Sequence, residues 1–181
     1  APEQIIMTSG AKHAVFNSLL AIINPGDEVI IPEPYWVTYP ELVKLLGGVP
    51  VIVHTKVDND FQMSGEELSK VISPKTKAVI LNNPTNPTGT LYSEEVLASI
   101  AKVIAENDLY AISDEIYEHF SYSGSFQFKS LASFDGMYER TLVINGLSKS
   151  HCMTGWRIGY VAAPKEIAKL IAKAQGQTTH H

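Results

Sequence analysis

Ala78-Val79-Ile80-Leu81 is an unbroken apolar run that opens directly into Asn82-Asn83-Pro84-Thr85-Asn86-Pro87-Thr88-Gly89. A strand with one wet face alternates apolar and polar residues; a continuous run of this length reads instead as a strand covered on both faces. Leu142-Val143-Ile144 has the same character and leads into Asn145-Gly146-Leu147-Ser148-Lys149. Further β-type runs lie at Ile5–Met7, Glu28–Ile31, Val49–Val53, Tyr110–Ser113 and Ile158–Ala162. Helical patterns fall between them, at Ala11–Ile23, Glu41–Leu46, Gly65–Val71, Glu94–Glu106 and Lys165–Lys173. In the first helix Val15, Leu19 and Ile22 share one face. Ser64 with Glu67 forms a capping box, Ser93 is an N-cap with acid in the first turn, and Pro164 suits the first turn of the last helix. This order predicts an α/β fold with a mainly parallel central sheet and helices on both faces, a three-layer α/β/α domain.

The bulk numbers agree. The 181 residues are 45% apolar and 18% charged, which suits one globular domain, and the net charge of −5 gives no electrostatic case for nucleic acid or a membrane surface. No apolar stretch reaches membrane-spanning length, and the opening residues show no signal-peptide pattern. A single cysteine, Cys152, allows no internal disulfide and favours a reducing, cytoplasmic setting. Residues 1–177 read as one domain and 178–181 as a C-terminal tail, in which His180-His181 is expected to derive from a purification tag, with the natural protein longer at both ends.

Ligands of open α/β sheets bind at the carboxyl ends of the strands. Thr8-Ser9-Gly10-Ala11-Lys12 follows one strand, Asn82 to Gly89 another, Asp114-Glu115 with Tyr117 a third, and Ser148-Lys149 a fourth. Each alone has an ordinary reading: an N-cap, a polar turn, a solvated acid pair, a surface lysine. Trp36 alone reads as core. Two Asn-Pro pairs in four residues do rigidify a loop beyond what a turn needs, and X-Pro bonds permit cis geometry.

Together these residues meet the demands of one cofactor, pyridoxal 5'-phosphate (PLP). Its phosphate calls for helix N–H groups and a cation, its pyridine nitrogen for a carboxylate, its phenolic oxygen for amide or phenol donors, its aldehyde for a lysine, and its ring for an aromatic face. No metal site is expected.

Asn83-Pro84-Thr85-Asn86-Pro87-Thr88-Gly89, Ser113-Asp114-Glu115-Ile116-Tyr117, and Ser148-Lys149 followed by Thr154-Gly155-Trp156-Arg157-Ile158-Gly159-Tyr160 resemble the signature set of class I, fold-type-I PLP-dependent aminotransferases. Pro32-Glu33-Pro34-Tyr35-Trp36-Val37-Thr38-Tyr39-Pro40 is similar to the bacterial aspartate aminotransferase branch. The resemblance implies that the chain is the PLP-binding large domain without the small domain, from an enzyme that moves an amino group between an amino acid such as aspartate and a 2-oxo acid such as 2-oxoglutarate. It implies Lys149 as covalent cofactor anchor and proton shuttle, Asp114 at the pyridine nitrogen, Asn86 and Tyr117 at the phenolic oxygen, and Trp36 against the ring. It further implies Gly10, Ala11, Lys12 and Arg157 around the phosphate, a homodimer, and low turnover by this chain alone. Gly146 departs from the pattern, because many relatives carry a phosphate-binding serine there, and the role of Ser148 is left open.

Three other readings compete, of which a non-catalytic, PLP-free scaffold has no support in the sequence. Another fold-type-I PLP enzyme, a β-lyase or decarboxylase, would share the cofactor site. A nucleotide-binding module would need a Gly-x-Gly-x-x-Gly or Gly-x-x-x-x-Gly-Lys-Ser/Thr loop, and neither occurs.

Overall fold

The computed structural model describes residues 1–122 and 127–179; the tag reading of His180-His181 lies outside them. Seven strands, β1 (Ile5–Ser9), β2 (Glu28–Glu33), β3 (Val49–His54), β4 (Thr76–Asn82), β5 (Tyr110–Asp114), β6 (Thr141–Gly146) and β7 (Ile158–Ala162), form one sheet in the order β1-β7-β6-β5-β4-β2-β3. The ladders from β3 across to β6 are parallel, while β7 runs antiparallel to both its neighbours.

The helices are α1 (Ala11–Ile22), α2 (Thr38–Leu45), α3 (Gly65–Val71), α4 (Glu94–Glu106), the short α5 (Leu147–Ser150) and α6 (Lys165–Gln175). They cover both faces, and the apolar run of β4 shows why. Ala78 and Ile80 pack with Val15 and Leu19 of α1, Tyr39 and Val43 of α2, and Ile171 of α6. Val79 and Leu81 point the other way, into Leu68 of α3 and Leu97, Ile100 and Ile104 of α4. Side chains alternate across a strand, so a strand between two helical layers must be apolar at every position. β6 follows the rule less strictly, since Val143 is only half-buried between Leu142 and Ile144.

The caps form as expected. Ser64 Oγ accepts from the Glu67 N–H while the Glu67 carboxylate accepts from the Ser64 N–H, and Ser93 Oγ accepts from the Val96 N–H. Several placements at element ends differ from the expectation. Helix α2 begins at Thr38 rather than Glu41, because Pro40 sits in the first turn, where its missing N–H has no acceptor to lose. Pro164 is the N-cap of α6 and lies just outside it. Strands β4, β5 and β6 run past their apolar residues to include Asn82, Asp114 and Gly146.

No helix among the described residues is long and apolar enough to cross a membrane. Among those residues, no group of three or more His, Cys, Asp or Glu side chains could hold a metal ion.

Candidate active site

The extension of those strands carries polar side chains into a cavity of about 300 Å³ at the carboxyl edge of the sheet. Its wall includes Asp114 from the end of β5 and Asn82 and Asn86 from the end of β4 and the loop beyond it. Tyr117 follows β5, and Ser148 and Lys149 lie on α5 after β6. Ala11 and Lys12 open α1, Trp36 and Tyr39 come from the start of α2, and Arg157 precedes β7. Of the residues to which the resemblance gives a cofactor role, all line this cavity except Gly10, the residue before Ala11.

Asp114 forms the floor. It is 3% exposed, and burial lifts its carboxyl from the ordinary 3.8 to about 6, against the opposing pull of hydrogen bonds from the Tyr39 hydroxyl and the Ile116 N–H. Tyr39 Oη donates to Asp114 Oδ2 at 2.7 Å, and Ile116 N donates to Asp114 Oδ1 at 3.3 Å. Burial, with the Asp114 charge beside it, pushes the Tyr39 phenol well above its ordinary value, so Tyr39 stays a donor.

The neighbouring acid is used differently. Glu115 is also 3% exposed, but its carboxylate points away from the cavity lining and accepts from Ser113 Oγ at 2.8 Å and Ser130 Oγ at 2.7 Å. Successive residues at the strand end thus send one acid into the cavity and the other into a serine clasp. A solvated acidic pair does not describe either.

An aromatic side and a cationic corner complete the cavity. Trp36 meets Tyr39 edge to face, with ring centroids 5.4 Å apart, and the Lys12 ammonium stands 5.0 Å from the Trp36 ring centroid. The Lys149 ammonium stands 5.8 Å from the centroid of Tyr117. Gly10 is the N-cap of α1 with φ +79°, and a Cβ there would lie 2.3 Å from Arg157 Nη2. The missing side chain therefore lets the guanidinium reach the first turn of α1, whose leading N–H groups have no intrahelical acceptor. Arg157 itself has φ +53°, and its Nη1 donates to the Thr154 carbonyl at 3.0 Å.

Gly146 has a steric explanation. A Cβ at this position would fall 2.7 Å from the Ile158 carbonyl oxygen and 2.9 Å from Gly159 Cα, both backbone atoms of β7. The strands approach too closely here for a side chain, while Ser148 does line the cavity.

Tyr39 and Asn82 escaped the sequence reading. Tyr39 had a usable signal, since it stands three residues after Trp36 at the opening of α2. Asn82 had none beyond its place after an apolar run.

An acid, amide and phenol groups, an indole, a lysine and a guanidinium thus share one cavity at the carboxyl edge of an α/β sheet. Residues 1–180 match the family model for aminotransferases of class I and II, and the chain belongs to that family. It is 47% identical over 178 residues to the aspartate aminotransferase of Bacillus subtilis (strain 168), which covers 98% of this chain and 45% of that protein. It is 47% identical over 179 residues to the aspartate/prephenate aminotransferase of Thermus thermophilus, again covering 98% and 45%. Among solved structures, aspartate aminotransferase from Thermus thermophilus with maleate superposes with a TM-score of 0.94 at 46% identity, covering 98% of this chain and 46% of that one. The aromatic aminotransferase from Pyrococcus horikoshii superposes with a TM-score of 0.93 at 44% identity, covering 96% and 46%. The chain thus spans about half the length of the curated relatives it matches.

Proposed function

We propose that this chain is the PLP-binding large domain of an aminotransferase that moves the amino group of an amino acid, aspartate foremost, to a 2-oxo acid such as 2-oxoglutarate. The observation that carries the reading is Asp114: a buried carboxylate at the floor of a cavity whose rim bears Lys149 and whose far corner bears Arg157. A carboxylate buried without a cation among its contacts is costly, and a protonated ring nitrogen is the partner that would offset it.

The donor set fits PLP. Asp114 would face the pyridine nitrogen, Asn86 and Tyr117 the phenolic oxygen, and Trp36 the ring. Gly10, Ala11, Lys12 and Arg157 would surround the phosphate, and Lys149 would hold the aldehyde carbon. Bound PLP supplies an electron sink that makes the substrate Cα–H acidic. Asp114 keeps a proton on the ring nitrogen. Tyr39 keeps Asp114 ionised and oriented. Lys149 Nζ, in its unprotonated form, takes the proton from the substrate Cα and returns it. Arg157 and the first turn of α1 neutralise the phosphate.

On this reading the remaining half of the enzyme supplies the substrate-carboxylate arginine and the closing small domain, the working form is a cytoplasmic homodimer, and the 181-residue chain alone turns over poorly. Borohydride reduction after addition of PLP, followed by peptide mapping, tests it. Labelling at Lys149 that is lost in Lys149→Ala is expected; labelling elsewhere, or none in folded protein, overturns it.

A further inference from the structure

Asn82 is the last residue of β4 and lies opposite Asp114, the last residue of β5, in the parallel ladder. It is 6% exposed, and both ends of its carboxamide are engaged. Nδ2 donates to the Asp114 carbonyl oxygen at 2.9 Å, and Oδ1 accepts from the Asn86 N–H at 2.7 Å. The Asp114 carbonyl also accepts from the Asn83 N–H at 3.0 Å, so Asn82 takes up that oxygen's second lone pair. Thr85 Oγ1 closes the turn onto the Asn82 carbonyl at 2.7 Å.

We infer that Asn82 is a positioning residue whose carboxamide fixes the spacing between Asp114 and Asn86. The inference rests on the reading above, in which those two residues grip the nitrogen and phenolic edges of one ring. A strand-end asparagine serving only to satisfy the backbone would need one partner; this one bridges the main chains of two cavity-lining residues on separate elements. Among the described residues, the Asn82 carboxamide joins the two directly. Pro84 and Pro87 have no N–H, and the Thr85 and Gly89 N–H groups donate to the Thr90 and Thr85 carbonyls, so the Asn86 N–H is the loop donor that reaches the Asn82 side chain. An interaction acting through a shared partner is non-additive with removal of that partner.

The test is a double-substitution cycle in the full-length protein, read as PLP affinity and as the pH midpoint of the bound cofactor's visible absorbance. Asn86→Ala alone is expected to weaken PLP binding about 10-fold and to raise the pH midpoint, as fits loss of a donor to the phenolic oxygen. Asn82→Ala is expected to move both readouts in the same direction by a comparable amount, and the pair together by little more than Asn86→Ala alone. Asn82→Asp, which keeps the acceptor for Asn86 and loses the donor to Asp114, should give a smaller change with the same sub-additivity, and it carries the test if the alanine variant does not fold. Effects of Asn82 that add fully to those of Asn86, or a fall in melting temperature without movement of the absorbance midpoint, would overturn the positioning role. If Asn86→Ala changes neither readout, the assignment of Asn86 fails and with it this inference; Lys149 labelling then shows separately whether the PLP reading survives.

Discussion

The Tyr39 hydroxyl and the Asp114 carboxylate, 75 residues apart in sequence, meet at 2.7 Å in a buried hydrogen bond beneath the cavity. The bond opposes the rise in the Asp114 pKa that burial causes. Tyr39→Phe removes the donor while keeping the ring against Trp36. The Asp114 carboxyl should then titrate above its present value of about 6, and PLP affinity should fall about 10-fold. Carbon-13 NMR of Asp114 in cofactor-free protein reads the first effect; an unchanged titration would show that Tyr39 has no hold on the acid.

Asp114 also gives a pH dependence of fixed sign. Its folded pKa is raised from 3.8 to about 6, so in cofactor-free protein its stabilising contribution is complete below about pH 3.8 and lost as pH rises through about 6. A difference of that size corresponds to about 3 kcal/mol. Asp114→Asn should therefore be more stable than the parent at pH 8 by up to that amount, with the gap closing by about pH 4, while its PLP binding is much weaker. Urea unfolding of cofactor-free protein across this range measures it; equal stability at pH 8 would contradict it.

Gly10→Ala would place a Cβ 2.3 Å from Arg157 Nη2 at a φ of +79°. The expected result is a loss of about 1–3 kcal/mol together with weaker PLP and inorganic phosphate binding, because the guanidinium must leave the helix terminus. Urea unfolding and equilibrium binding separate the two effects.

Gly146→Ser tests the close approach of β6 and β7. The added Cβ meets β7 backbone rather than a flexible side chain, so the serine should destabilise by about 1–3 kcal/mol and bring no gain in PLP affinity. Tighter cofactor binding by the variant would show that β6 and β7 can separate to admit it.

Ser130→Ala removes one of the two hydroxyls that hold Glu115. It should cost about 1 kcal/mol of stability and leave PLP affinity unchanged, since Glu115 lies outside the cavity lining. A cofactor effect as large as that of Tyr39→Phe would place Glu115 in the site after all.

The strands and the site were unevenly legible in the sequence. Unbroken apolar runs such as Ala78–Leu81 exposed the two-sided sheet because burial on both faces leaves no room for polar residues. Asp114 and Lys149 stood out as polar residues beyond buried strands, whereas Asn86 and Arg157, which precedes β7, were singled out through the family resemblance. Tyr39 and Asn82 were not, because their value lies in partners distant along the chain or hidden in the backbone. The same holds for Gly146, whose necessity comes from the approach of Ile158 and Gly159, and for Glu115, where one peptide step reverses the direction in which an acid points. Residue type and spacing disclose what a side chain can do; packing decides which neighbour it does it to.

The edge position of β1 has a consequence for biosynthesis. Among the described residues this strand pairs with β7 alone, Ser9 facing Ile158 at the end of the ladder. A ribosome releasing the chain from its N-terminus delivers the first turn of α1 early and the guanidinium of Arg157 late. Until β7 emerges, β1 has no strand to join, and Ile5 and Met7 stay partly open to water even afterwards. The approach of the Arg157 guanidinium to Gly10 therefore forms only after the long stretch of chain between them has been made, so it reports that β1 and β7 have met.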